Sequence, residues 1–585
     1  MLKQLQLHFL SVALFLGLLS LPALLVSCGG DKVSQADQAN SKTGVFTTAD
    51  TSGPEPHLDS VFVIRAMQAD AHFKAQEHWA RKFYRERQFR LGWFKQHQLV
   101  PQAATFLAVV AKAKDDGLDP KRYDTRQLTT ILAALKSVSQ DTARRNQLER
   151  KLDVALSGSY FAWASDYYRG VANPRDTKND AWKVKRNKIK LDHALMTILR
   201  ERESTYPYYD FAPLHSEYDH LKKALALLRA RQAAGGWPAL PSTTHLKPGD
   251  ALPVVSLLRQ RLLGGEATGQ TPATVVATVT PVNNVTPLPT TGYDPALVAA
   301  VKIFQNDLGL PPTGLVSGET LHQLNVPIQA RINQVILNME RWRWLPKKFE
   351  PDYLIVNIPE YRLRVYEQGK EALTMRVIVG KALTATPVFS DKMEYVVLAP
   401  YWNVPYSIID KELRSKLVAN PGYLGRLDME VVEGYGRKAT VVDPATIDWA
   451  SITQENFKYT VRRRPGPKND LGDVKFIFPN SNDIYLHDTP HGELFSQTKR
   501  SFSHGCVRVE EPVKLATYLL RNNPDWSQPA IEDTIAQHRE KYITLKEKLP
   551  VYLVYLTAWA DADGHAHFRD DIYGHDKSLA KEYFN

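Results

Sequence analysis

The spacing of apolar residues changes once along this chain, and that change limits the fold more than any other feature. Between Ser216 and Ala230, Tyr218, Leu221, Leu225 and Leu228 recur at helical spacing behind a capping Ser216. A second helix is predicted over Leu152–Tyr167, with Leu152, Ala155, Leu156, Ser159 and Tyr160 on one side and Trp163, Tyr167 and Tyr168 extending it. That aromatic face is expected to pack in a core, with a sugar platform as the alternative. Ile328, Ile332, Val335, Met339 and Trp342 share a third helical face, which Pro346 stops. After residue 352 the period becomes two. Leu354, Val356 and Ile358 alternate, then Tyr361, Leu363 and Val365, then a turn at Gly369, then Leu373, Met375, Val377 and Val379. Tyr395–Leu398 and Tyr552–Trp559 are further predicted strands, while Pro387, Pro400 and Pro405 keep the ladders short. Helices first and strands afterwards, over 585 residues, mean a multidomain α+β chain with more than one core.

The chain opens Met1-Leu2-Lys3, followed by an apolar run from Phe9 to Val26, a short basic region before an export segment. A retained membrane anchor is the alternative. Leu25-Val26-Ser27-Cys28-Gly29 resembles a bacterial lipoprotein lipobox. The resemblance implies cleavage of residues 1–27, acylation of Cys28 and, with Gly29 rather than aspartate next, the outer membrane. Several acyl chains on one cysteine make a lasting anchor. Residues 28–59, rich in small and polar side chains, form a flexible tether.

The formal charge of +11 suits a polyanionic partner such as wall polymer or anionic lipid. Nucleic acid is excluded as the expected partner, because no recognition motif accompanies the charge. His565 and His567 alternate without a sharper acidic set, so they are expected to be surface or loop residues, with no metal and no cofactor. The chain does not indicate protein partners.

Residues 60–244 form the helical region. A second unit spans 245–328: Val254–Leu262 is one helical stretch, and Pro295–Gln305 resumes the pattern after a low-complexity insertion at 264–291. Gly309-Leu310, Thr313-Gly314-Leu315 and Thr320-Leu321 follow. These residues resemble the three-helix peptidoglycan-binding domain, with a Phe-Gln helix, a Gly-Leu turn and a Thr-Leu helix; a purely structural bundle is the alternative. Residues 329–350 form a connecting helix.

Cys506 is one of only two cysteines in the chain. Taken alone, a single thiol in an exported chain is a nucleophile, a buried structural residue or a metal ligand. Its flanking Ser503-His504-Gly505 and the upstream Tyr485-Leu486-His487-Asp488 favour acyl transfer. Alternation puts Tyr485 and His487 on one side of a strand and Ile484 and Leu486 on the other. Together with Tyr401-Trp402-Asn403-Val404-Pro405, Gly472-Asp473-Val474-Lys475-Phe476 and Cys506-Val507-Arg508, these segments resemble the catalytic domain of large multidomain L,D-transpeptidases.

The resemblance implies a helical scaffold, a small helical peptidoglycan-binding domain and a mostly β catalytic domain at 351–580 with an inserted lid at about 406–470. It implies that Cys506 is the nucleophile and His487 the general base. His504 organises the site and is a rival for the base role. Gly505 allows close backbone approach, and the N–H groups of Gly505 and Cys506 are candidates for an oxyanion hole. Arg508, Tyr485, Trp402 and Asn403 bind substrate or organise the site. The implied reaction is 3-3 cross-linking of peptide stems through a thioester, with release of D-alanine and susceptibility to carbapenems. An L,D-carboxypeptidase and a noncatalytic wall-binding lipoprotein are the alternatives.

Overall fold

The computed structural model describes residues 55–138, 140–175, 184, 187–200, 215–264, 292–434 and 438–584. Cys28, the export segment, most of the tether and nearly all of the low-complexity insertion lie outside them. No helix among the described residues is long and apolar enough to cross a membrane.

The helical region is built round Thr142–Arg169, whose N-terminus is capped by Asp141 accepting the Arg144 N–H at 2.8 Å. Residues from Leu152 to Tyr168 are buried on every side of this helix, so its aromatic residues serve packing. Trp163 stacks on Tyr167 with ring centroids 5.2 Å apart. A Cβ at Gly158 would sit 2.7 Å from the Phe73 ring, so glycine lets the neighbouring segment approach. Burial of this helix also encloses polar groups, and each needs a partner. Asp153 accepts the Tyr84 hydroxyl at 2.6 Å and the Trp93 N–H at 2.7 Å, while burial pushes its carboxyl up to about 6.

Val254–Leu262, Pro295–Asp307 and Gly318–Leu324 enclose a separate small core containing Val255, Leu258, Leu297, Val301, Leu321 and Leu324. Buried Gln305 explains the spacing of the motif residues. Its amide donates to Leu315 O and Thr320 Oγ1, both at 3.0 Å, and accepts the Gly314 N–H at 2.9 Å. One glutamine thus joins the Phe-Gln helix, the glycine turn and the Thr-Leu helix.

The connecting helix, Ile328–Trp344, is buried on more than its apolar stripe. Arg343 is fully buried and pairs with Glu340 at 2.9 Å, Tyr218 Oη at 2.8 Å and Asp116 O at 2.6 Å. Its charge is tolerated because the guanidinium fork is met by these partners.

The strand-rich region is a nine-stranded sheet: β1 Tyr353–Asn357, β2 Arg362–Glu367, β3 Lys370–Gly380, β4 Phe389–Leu398, β5 Val474–Ile477, β6 Leu486–His487, β7 Ser501–Ser503, β8 Val507–Val509 and β9 Lys541–Val554. The order is β7-β3-β8-β6-β5-β4-β9-β1-β2, and β2 pairs again with β3, closing the sheet on itself. Closure removes most of the free edge. Gln368 and Gly369, with φ of +49° and +75°, make the two-residue turn between β2 and β3. The final strand departs from expectation. β9 begins at Lys541 and ends at Val554, and Ala558–Ala560 belongs to a separate hairpin with Ala566–Phe568.

Between β4 and β5 the chain builds a second sheet from Trp402–Asn403, Tyr459–Arg463, Met429–Glu433 and Thr440–Val442, adjacent in that order and antiparallel. It has its own core of Leu413, Leu417, Val431, Trp449 and Val461. Where the excursion leaves and rejoins the barrel, the Asn469 amide donates to Pro400 O at 2.8 Å and to Arg464 O at 3.1 Å.

Candidate active site

Barrel closure brings Cys506 beside β6, because β8 follows it immediately and pairs with β6 in parallel, Leu486 with Val507 and His487 with Arg508. Cys506 is half-buried and is the free thiol of the described residues. Its Sγ lies 3.8 Å from the carbonyl of Asp483, a residue held at φ +53°. Burial pushes the thiol up; the backbone N–H and phenol of Tyr485 and the Lys475 ammonium pull it down. Lys475 also sits 3.8 Å over the Tyr485 ring, and the Lys475 ammonium is itself held below its usual range by burial.

The loop before the thiol is fixed by hydroxyls. Ser503 Oγ donates to Cys506 O at 2.5 Å and accepts the Gly505 N–H at 3.1 Å. Thr386 Oγ1 donates to Gly505 O at 2.7 Å while accepting the Gly380 N–H at 2.9 Å. Thr384 Oγ1 donates to Ser503 O at 3.1 Å. Gly505 has φ +125°, a region that side chains rarely adopt, so glycine is required there. Its N–H is committed to Ser503, which leaves the Cys506 N–H as the other expected oxyanion donor. β8 separates Cys506 from the helix Pro512–Leu519, so that helix does not begin at the thiol.

His487 is buried, and its Nδ1 lies 2.5 Å from Asp488 O, which places the ring proton on Nδ1 and leaves Nε2 as the basic nitrogen. Burial first, then the nearby Arg508 and Lys475 cations, hold its pKa down to about 3 against the opposing pull of the Asp488 and Leu471 carbonyls. The ring is therefore neutral at pH 7. Tyr485 meets it edge to face at 5.7 Å. Below it, Asp488 accepts the N–H groups of Asp473 at 2.8 Å and Thr489 at 2.6 Å, and burial raises its carboxyl to about 6.

The other expected site residues separate into two groups. Arg508 stands next to His487 across the β6–β8 pair, half-buried, with no hydrogen-bond partner on Nε. Burial lowers its pKa, while Asp470 and Cys506 favour the charge. His504, in contrast, is exposed and turns to the second sheet's segment, with Nε2 at 3.5 Å from Glu412. Trp402 and Asn403 lie in that second sheet, opposite Arg463 and Arg462, rather than on the barrel rim that carries Cys506. The basic run Arg462–Arg464 of that sheet is paired internally. Arg462 and Arg464 both bind Glu430 at 2.7 Å, and Arg463 binds Asp470.

Sequence reasoning missed Thr384, Thr386, Ser503 and Lys475 as shapers of the site. Lys475 sits in a quoted segment, but the threonines lie more than a hundred residues before the loop they hold and carry no local signal. A cleft of about 800 Å³, lined by His215, Trp342, Tyr353, Glu360, Arg364 and Trp559, lies on the β1–β2 side of the barrel and includes none of the residues placed round Cys506.

Residues 351–531 match the family described as "L,D-transpeptidase catalytic domain", 78–225 match "Scaffold domain" and 283–324 match "Putative peptidoglycan binding domain". A Haemophilus influenzae protein named "Putative L,D-transpeptidase" is 37% identical over 246 residues, covering 42% of this chain and 48% of that protein. The chain thus spans about half the length of this curated relative. The solved L,D-transpeptidase of Xylanimonas cellulosilytica is 14% identical, covers 54% of this chain and 99% of its own, and superposes with a TM-score of 0.16, too low to add to the assignment.

Proposed function

We infer that this multidomain L,D-transpeptidase, with its scaffold and peptidoglycan-binding domains, forms 3-3 cross-links between peptide stems through a thioester on Cys506. The observation that carries the reading is a half-buried thiol and a neutral buried imidazole on paired segments of the barrel, both under the charge of Lys475, within the matched catalytic domain. With the thiol raised and His487 lowered, both groups rest uncharged, so proton transfer belongs to the attack rather than preceding it.

Cys506 adds to the amide carbonyl between meso-diaminopimelate and D-alanine, and His487 Nε2 takes the thiol proton. Collapse forms the thioester and breaks the amide; the proton leaves on the departing D-alanine amine. The amine of a second stem then attacks the thioester, loses a proton to His487 and restores the thiol. The thioester conserves activation, so the new amide needs no ATP. Arg508, with Nε unpaired, is suited to a donor carboxylate. Water replacing the acceptor gives the carboxypeptidase reaction, and a lid role for the second sheet's segment, which meets the loop at Glu412 and His504, would limit its entry. The same thiol is the proposed target of carbapenems. The proposed location is the periplasm, anchored to the outer membrane through acylated Cys28.

Purified chain incubated with a tetrapeptide donor is expected to gain the mass of the donor less D-alanine, and Cys506→Ala to gain none. A folded wild-type chain that turns over no donor and carries no adduct would overturn the reading. Adding an acceptor stem separates cross-linked product from trimmed tripeptide. Intact mass after membrane extraction tests Cys28.

A further inference from the structure

Two histidines and an aspartate far apart in sequence meet where the small helical unit touches the terminal hairpin. His565 and His567 flank Ala566, so their side chains leave the strand on one side. Asp307 ends the helix Pro295–Asp307. Its Oδ2 lies 2.8 Å from His565 Nε2 and its Oδ1 3.3 Å from His567 Nδ1, and one donor atom from each residue lies within 4.8 Å of the others. This is the acidic partner that the two alternating histidines lacked in the sequence.

We propose that Asp307, His565 and His567 form a binding site for a divalent transition cation, with zinc as the best match. Two imidazole nitrogens and one carboxylate are a borderline donor set that suits zinc and its neighbours better than calcium or magnesium, which take oxygen ligands. A tetrahedral ion with bonds of about 2.0–2.1 Å needs donors roughly 3.3 Å apart; the two Asp307 contacts, made through its two oxygens, are 2.8 and 3.3 Å, and one donor of each residue lies within 4.8 Å of the others.

The surroundings supply a second, independent observation. His567 Nε2 faces Asp561 Oδ1 at 3.1 Å, the far-side carboxylate that fixes the tautomer and aims Nδ1 at an ion. Trp559 stacks on the same ring at 5.5 Å and 15°, holding its plane. His565 remains half exposed, so an ion has a way in. The bound ion would cross-tie the small helical unit to the hairpin Ala558–Phe568, next to the Arg569 Nη1 to Asp307 O bond of 2.8 Å. The cluster of Glu86, Asp192 and His193 makes a useful contrast. There Lys82 already holds Asp192 at 2.5 Å, so a cation would compete with an ammonium.

The test uses the full chain, stripped with chelator, dialysed against excess zinc chloride, freed of loose ion and assayed by atomic emission. Wild type, His193→Ala and Cys506→Ala are each expected to hold about one ion per chain, and the His565→Ala/His567→Ala pair almost none. Asp307→Asn, which keeps size and hydrogen bonding, and Asp561→Asn should each weaken binding by about tenfold or more with unchanged circular dichroism. Cobalt in place of zinc should give the intense visible band of a four-coordinate site. Failure of wild type to retain zinc would reduce the cluster to hydrogen-bonded Asp–His pairs and overturn the proposal. Uptake that survives loss of both histidines, or disappears with His193 or Cys506, would place the ion elsewhere and overturn it equally.

Discussion

The two walls round Cys506 are held by different physics. The Cys506 loop is fixed by neutral hydrogen bonds from hydroxyls: Ser503, Thr384 and Thr386, the first and last almost fully excluded from solvent. The second sheet adds charged pairs to its apolar core, with Glu430 between two arginines, Arg463 on Asp470 and Glu412 beside His504 of the loop. Neutral bonds in a dry loop have few alternatives and define one geometry. Charged contacts nearer solvent exchange readily with water and respond to salt. The proposed reaction, which holds an acyl group in place and then admits a second peptide, would gain from one wall of each kind.

The largest effect that would test this contrast is expected from Thr386→Val. Losing the hydroxyl orphans the Gly380 N–H and one bond to the Gly505 carbonyl in a buried loop, at a cost of about 2–4 kcal/mol. Thermal or urea unfolding should show it, and a loss below about 1 kcal/mol would mean that the loop does not depend on these bonds. Glu430→Gln comes next. It leaves Arg462 and Arg464 without their shared carboxylate, costing about 1–3 kcal/mol locally. Hydrogen exchange should quicken in 402–463 and stay unchanged in the barrel strands; equal loosening of both would erase the distinction.

The pH dependence is a smaller effect with a definite sign. A raised thiol is mostly protonated at neutral pH, and the thiolate is the reactive form. Iodoacetamide labelling of Cys506 should therefore climb roughly tenfold per pH unit from about 6 to 9 without levelling near 7. Lys475→Met removes a cation that lowers this thiol, so it should slow labelling at pH 8 by about threefold or more. A plateau at neutral pH would show a preformed ion pair instead. Glu412→Ala is expected to do least: an exposed pair with His504 should change acylation by less than about twofold, and high salt should abolish even that difference.

Much of this could be read from residue order because the signals were local. Alternation over Leu354–Val379 announced β1 to β3, and Gly369 their turn. The spacing of Tyr485 and His487 placed the imidazole on a strand beside the cysteine loop. What could not be read is where the chain returns on itself. Thr386 reaches Gly505, and Asp307 meets His565 across 258 positions, only through tertiary packing. Arg343 lies outside the apolar face read from Ile328 to Trp342; its burial depends on Tyr218 and Asp116, which nothing near it in sequence announces. The arginine run at 462–464 is likewise matched only by folding, which brings Glu430 and Asp470 to it.

The amide of Asn469 also has a consequence for the history of such chains. By holding Pro400 and Arg464 together, it makes the whole excursion leave and re-enter through a single doorway, and no barrel strand gets its register from what lies beyond. A module attached in that way can be lengthened, trimmed or exchanged without disturbing the machine beneath it, so substrate preference can drift while the chemistry stays put.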